Sequence, residues 1–252
     1  MLKKRAGNTP GMQVMLNKLL FFLLAFGLFI LIDRLAIALA DLPLKGSFKF
    51  TWLIAHHVIQ IFLALAVMAL PVWGRSFSDW GINTKNFPLT LKILGKFTLG
   101  WVVFTTLYTL ITQWLSGWPS LLDFELTLEN IILYLVFESI VVGISEELVF
   151  RGLVQGVLGP HFRKEIRFPG FSITLAGLMS AVFFALAHIG FSLSPFAITF
   201  FAPMQIFIAF ALGIFYAVLR EQTGSLLGPV LAHNISDGWL SVLYIVIQMV
   251  TK

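Results

Sequence analysis

Residues 128–158 read LENIILYLVFESIVVGISEELVFRGLVQGVL. The run stays apolar beyond the roughly 20 residues that cross a bilayer, yet its interior holds Glu138, Glu146, Glu147 and Arg151. A charged side chain in hydrocarbon costs about 3 kcal/mol or more unless it is paired or hydrated, so each of these groups needs a partner or a purpose. On a helix Glu147 and Arg151 stand four residues apart, share a face and follow the favourable order for an ion pair. Glu146 points about 100° away. Arg151 therefore neutralises one carboxylate and leaves the other free. That division suits a general base with a structural neighbour. A plain ion pair locking two helices together accounts for the spacing equally well. Glu138 has no partner in this pattern.

The rest of the chain gives this stretch its setting. Of 252 residues, 58% are apolar and only 12% are charged, about half the charged share of soluble globular proteins, and mean hydropathy is +0.92. This composition excludes an ordinary soluble enzyme, a disordered chain and a coiled-coil rod. The absence of cysteine excludes disulfides, a cysteine zinc site and thiol catalysis. The expected fold is all-α, a polytopic transmembrane bundle with a polar intramembrane cavity, one integral domain over residues 1–252. Seven crossings are expected: Leu16–Ala40, Trp52–Trp73, Leu91–Leu115, Leu128–Leu158, Phe171–Gly190, Pro195–Leu219 (with Pro203 as kink or true start) and Leu226–Val250. An eighth arises if Phe191–Ala202 dips separately.

Basic residues set the sides. With a cytoplasmic N-terminus, 13 Lys and Arg fall on inner segments, among them Lys3, Lys4, Arg5, Arg75, Arg163, Lys164 and Arg220, against Lys45, Lys49 and Lys252 outside. This is a positive-inside bias. Residues 74–88 mix Phe77, Trp80, Ile82 and Phe87 with charges and are expected to lie at the cytoplasmic headgroup layer, or to form an ordinary loop. No basic helix face or basic-aromatic patch points to nucleic acid.

Two further segments carry ionisable groups. FFALAHIGF ends the fifth span with His188, one turn after Phe184; GPVLAHNISDGW opens the last with His233 and Asp237 four residues apart on one face. A carboxylate one turn from an imidazole fixes its tautomer. An interfacial histidine and a buried polar helix contact are the plainer alternatives. His56 and His57 are expected at the outer, interfacial end of the second span, and His161 in a basic loop.

Taken in order, EExxxR at Glu146, Glu147 and Arg151, FxxxH at Phe184 and His188, and HxxxN/D at His233 and Asp237 resemble the CPBP family of CAAX proteases and bacteriocin-processing enzymes, also called the Abi family. The resemblance covers roughly residues 128–245, an expected catalytic core. It implies an intramembrane endopeptidase resembling the type II CAAX prenyl endopeptidase. In that family's pattern Glu146 and His188 activate the attacking water, His233 and Asp237 form the oxyanion side, and Glu147 with Arg151 holds the site. The family often has Asn where this chain has Asp237, so Asp237 either orients His233 or donates when protonated. The resemblance implies no cofactor if the enzyme is a glutamate protease, or zinc held by Glu146, His188 and His233 if it is a metalloprotease.

The expected partners are a peptide or protein substrate in or beside the membrane and the lipid bilayer itself, with no nucleic acid. The expected location is the cytoplasmic membrane, multi-pass, with the site opening towards the cytoplasm. Bacteriocin or pheromone maturation, immunity, and membrane-protein turnover are the substrate settings. A non-catalytic immunity or binding protein, and a proton-coupled transporter using the same groups, are the alternative functions.

Overall fold

The computed structural model describes residues 10–46, 48–193 and 195–251. Lys3, Lys4, Arg5 and Lys252, which enter the charge bias, lie outside the described residues. The chain is an all-α polytopic bundle. Its helices are α1 (Pro10–Leu44), α2 (Lys49–Met68), α3 (Phe87–Ser116), α4 (Leu128–Leu158), α5 (Leu175–Ala187), α6 (Pro203–Thr223) and α7 (Leu227–Thr251). Six of them are long and apolar enough to cross a membrane; α5, with 13 residues, is not. α1 packs on α2, α2 on α4, α5 on α6, and α7 takes α3, α4 and α6 as neighbours.

The fifth span departs from expectation at both ends. Residues Phe171–Thr174 form strand β2, paired with β1 (Glu165–Phe168) across a turn at Pro169 and Gly170, whose φ is +89°. Proline followed by a left-handed glycine is the chemistry of a type II turn. α5 starts only at Leu175, where Thr174 Oγ1 caps Gly177 N at 3.1 Å. The proposed eighth dip is a second hairpin, β3 (Gly190–Leu193) with β4 (Phe196–Phe200), and Pro203 is the true start of α6. The second span ends at Met68, because Pro71 opens a short 3-10 turn to Trp73.

α4 is continuous but irregular. Phe137–Val141 and Leu148–Val154 are π-helical turns. Such turns are rare and cluster at functional sites.

Residues 74–86 fold back over the ends of the bundle. Trp80 is fully buried and donates to Met68 O at 3.1 Å, with the Arg75 guanidinium 4.8 Å over its ring. Leu226 N donates to Gly81 O at 2.8 Å, Asn83 Nδ2 donates to Gly224 O at 3.1 Å, and Ser225 Oγ donates to Asn83 O. Phe77, Ile82 and Phe87 are exposed, whereas Trp80 belongs to the core. The loop therefore roofs the start of α7, which begins below the end of the bundle.

Candidate active site

The site is built on one buried carboxylate. Glu147 Oε1 accepts from Arg151 Nη1 at 3.0 Å and from His233 Nδ1 at 2.8 Å. The side chains of Glu147 and Arg151 are both 0% exposed. Two charges leave water only where geometry and further hydrogen bonds compensate, and here they do so in part, since Glu147 Oε2 and Arg151 Nε are buried without a hydrogen-bond partner. Arg151 Nη2 donates to Gly213 O of α6 at 3.1 Å, and its guanidinium lies 4.3 Å from the Phe184 ring and 5.2 Å from that of Tyr216. His233 stacks on Tyr216 at 5.1 Å, and Tyr216 Oη shares a 2.9 Å hydrogen bond with Ser236 Oγ. Four helices, α4 to α7, thus meet in one sealed layer.

Gly143 permits that meeting. A side chain there would overlap the Asn234 carboxamide of α7 and stand 3.2 Å from its backbone nitrogen. α4 and α7 approach closely enough for Glu147 to reach His233 only because position 143 has no side chain.

Glu146 points the other way, as helical geometry requires, and its side chain is 20% exposed. Its Oε2 stands 3.8 Å from His233 Nε2, beyond hydrogen-bond range. That same nitrogen faces Asp237 Oδ2 at 3.1 Å. His188 caps the end of α5 and its Nδ1 lies 2.8 Å from Phe184 O. A carbonyl only accepts, so Nδ1 carries the hydrogen and Nε2 is left with its lone pair. Phe184 thus serves twice: its carbonyl sets the tautomer of His188, and its ring stands edge-on to both His188 (5.0 Å) and His233 (5.7 Å).

Three cavities meet these residues. One, about 440 Å³, is lined by His188, His233, Asp237, Phe184 and Tyr216, and by Trp101 and Tyr108 of α3 with Met204, Ile208 and Leu212 of α6. A second, about 190 Å³, is lined by Glu146 with Asp33, His56, His57 and Gln60. A third, about 540 Å³, enters from the end bearing Arg75, Arg163 and Arg220 and stops at Arg151, touching none of Glu146, His188, His233 and Asp237. The Glu147–Arg151 pair stands between that cavity and the other motif residues, and the chamber lined by His188, His233 and Asp237 lies between α3 and α6.

Glu146 and His188 lie at similar depths once the helix ends are known. Glu146 is twelve residues from Leu158 and His188 thirteen from Leu175, about 18 and 20 Å at 1.5 Å per residue. His233 is only six residues into α7, about 9 Å, but α7 starts beneath the loop.

Several contributors were not singled out by sequence. His56 and His57 are buried at 6% and 8% exposure in mid-α2, correcting their expected interfacial place. Gln60 accepts from Ser145 Oγ at 2.9 Å. Tyr216 and Ser236 were legible only as polar atoms in apolar helices. For the zinc alternative, the three residues do not converge as ligands: both nitrogens of His233 face carboxylates, and no metal-ligating group of three His, Asp or Glu exists among the described residues.

Comparison with known families matches residues 128–239 to the Rce1-like type II CAAX prenyl endopeptidases. That match is similar in extent and motif content to the CPBP resemblance of the sequence. The matched stretch contains Glu146, Glu147, Arg151, Phe184, His188, His233 and Asp237, and it ends within α7. No curated protein and no solved structure matches the chain. The matched family implies a membrane peptidase. Helices α1 to α3 lie outside the match, yet they supply one wall of the two cavities that meet Glu146, His188, His233 and Asp237.

Proposed function

We propose that this protein is a CPBP-like intramembrane endopeptidase that hydrolyses a peptide bond of a membrane-associated peptide or protein. The observation that carries the reading is the split fate of two adjacent carboxylates: Glu147 is sealed by Arg151 and His233, while Glu146 is exposed to a cavity beside two imidazoles. Glu146 acts as general base, removing a proton from the water that attacks the scissile carbonyl, with the His188 Nε2 lone pair holding that water. The tetrahedral oxyanion is stabilised from the His233–Asp237 side, and Glu146 returns its proton to the leaving amine as the C–N bond breaks. Positioned proton transfer contributes roughly 10²–10⁴-fold, and one oxyanion donor about 2.7–4 kcal/mol.

In this reading the chain is one integral domain with residues 128–245 as its catalytic core. The basic end faces the cytoplasm, as the charge bias implies, with exposed Phe77, Ile82 and Phe87 at the headgroup layer. The chamber lined by His188, His233 and Asp237 then receives substrate laterally, between α3 and α6, within the cytoplasmic membrane. Its wall of Trp101, Tyr108, Met204, Ile208 and Leu212 suits an apolar chain.

The test is a comparison of membrane peptides in cells carrying wild-type or Glu146→Ala protein, joined to cleavage of a fluorogenic farnesylated CAAX peptide by the purified proteins. Glu146→Ala and His188→Ala lose turnover while folding normally. Full turnover by Glu146→Ala sinks the mechanism. Stoichiometric zinc in active protein, with activity lost on its removal, overturns water activation by Glu146 alone.

A further inference from the structure

The cavity behind Glu146 is unused by the mechanism above. It measures about 190 Å³, and its polar lining is Asp33 of α1, His56, His57 and Gln60 of α2, and Glu146. Its first four polar residues lie outside the family match. His56 and His57 are more than nine-tenths buried, and the Nδ1 of each has no hydrogen-bond partner. Gln60 is oriented from both ends: its Oε1 accepts from Ser145 Oγ at 2.9 Å, and its Nε2 reaches Asp33 Oδ1 at 3.5 Å. Ser145 is the residue before Glu146.

Buried imidazole nitrogens without partners are disfavoured in a dry cavity. Cavities that stay dry are apolar, whereas a buried water takes roughly 30 Å³ and two to four polar partners. This cavity offers room for several waters and five polar side chains. Polar groups continue from it along the α1–α2 seam: His56 Nε2 lies 3.9 Å from Asp33 Oδ1, its ring stacks on Trp52 at 5.1 Å, and Trp52 Nε1 donates to Asp41 Oδ1 at 2.8 Å near the α1–α2 turn. The substrate chamber is different. His188, His233 and Asp237 line it, and Glu146 does not. A peptide with an apolar chain filling that chamber displaces its water, yet each hydrolysis consumes one water.

We propose that the α1–α2 cavity is a water reservoir that supplies the hydrolytic water to Glu146 from the side opposite the peptide, with Asp33, His56, His57 and Gln60 as positioning residues. Its catalytic part rests on the peptidase reading; its hydration does not.

Two measurements on the full-length protein in lipid nanodiscs test it. The first is X-ray radiolytic footprinting, in which hydroxyl radicals form from bound water and add to adjacent rings. His56, His57 and Phe150 are labelled at least tenfold faster than Phe50, which is similarly buried (3% exposed) in an apolar cluster. Labelling no faster than Phe50 means a dry cavity and overturns the proposal, whatever the activity. The second is kinetics on the farnesylated CAAX peptide. Gln60→Leu and His57→Phe lose the labelling and lower kcat at least tenfold with KM within twofold of wild type, while His57→Gln restores most of kcat. Lost labelling with unchanged kcat overturns delivery. Failure of the peptidase reading looks different: Glu146→Ala turns over like wild type, and delivery to Glu146 falls with it even in a labelled cavity.

Discussion

Glu146 and Glu147 are adjacent, chemically identical, and treated in opposite ways by the bundle. Glu147 faces α7 and the interior of α4 to α6, where a guanidinium and an imidazole saturate one of its oxygens and water is excluded. Glu146 faces α1 and α2, where a polar cavity reaches it. The 100° between neighbouring helical residues is enough to separate an anchor from a reactive group. A buried ion pair is poor evidence of stability in itself, but removing one partner is costly because the other charge is left stranded. An accessible carboxylate has the reverse signature, since its loss strands nothing.

The largest expected effects cross over between these two residues. Glu147→Ala strands Arg151 and His233, and unfolding in detergent should show a loss of about 3–5 kcal/mol. Glu146→Gln should leave stability within about 1 kcal/mol, the scale of a change without stranded partners, while turnover falls roughly 10²–10⁴-fold. A Glu147→Ala protein that melts like wild type breaks the comparison, as does a Glu146→Gln protein that melts early.

The next effect concerns the contact that lets the anchor exist. Gly143→Ala drives a methyl group into Asn234. Overpacking of this kind costs about 1–3 kcal/mol, measurable in the same unfolding assay, and it should also lower turnover by displacing His233. A neutral Gly143→Ala would mean that α4 and α7 slide apart freely.

A smaller effect separates the two roles open to Asp237. Its carboxylate lies 3.1 Å from His233 Nε2. Asn at this position keeps a hydrogen-bonding oxygen and gains a donor, so Asp237→Asn should stay within about tenfold of wild-type turnover, near 1.4 kcal/mol. Activity at background would show that the carboxylate itself holds His233.

The motif residues were legible because the chain has so few charges. With 12 acidic residues and five histidines in 252, an i,i+4 pair inside an apolar run is conspicuous, and Glu147–Arg151 follows directly from spacing. The helices α1, α3, α6 and α7 followed from hydropathy for the same reason. What sequence did not reveal depends on contacts between distant segments. Phe171–Thr174 is as apolar as a helix start and becomes a strand only by pairing with Glu165–Phe168. Trp80 resembles an interfacial anchor until its partners Met68 and Gly156 are known. His56 and His57 look terminal in a span drawn to Trp73, and central in one that ends at Met68. Tyr216 and Gln60 carry no motif, because stacking on His233 or meeting Ser145 leaves no trace in spacing.

The smallest effect lies outside the membrane, where a carboxylate is held chiefly by hydrogen bonds. Asp79, in the loop that roofs α7, accepts from Ser76 Oγ at 2.7 Å and from Ser76 N at 2.8 Å. These hydrogen bonds, side chain first and backbone second, hold its carboxyl below the usual carboxylate range. A folded-state value below the unfolded value of about 3.9 means the ionised form is favoured by folding. The contribution is therefore fully present above that unfolded value, and it disappears as the pH falls through the folded one. Hydrogen exchange in residues 74–86 should thus be insensitive to this group from pH 5 to pH 7 and lose protection below about pH 4, after correction for the intrinsic exchange rate. Asp79→Asn should remove that acid-dependent step while leaving the protection of α4 untouched. If α4 loses protection at the same pH, the roof and the sealed layer beneath it unfold as one unit, and the contrast between a surface carboxylate and a buried one dissolves.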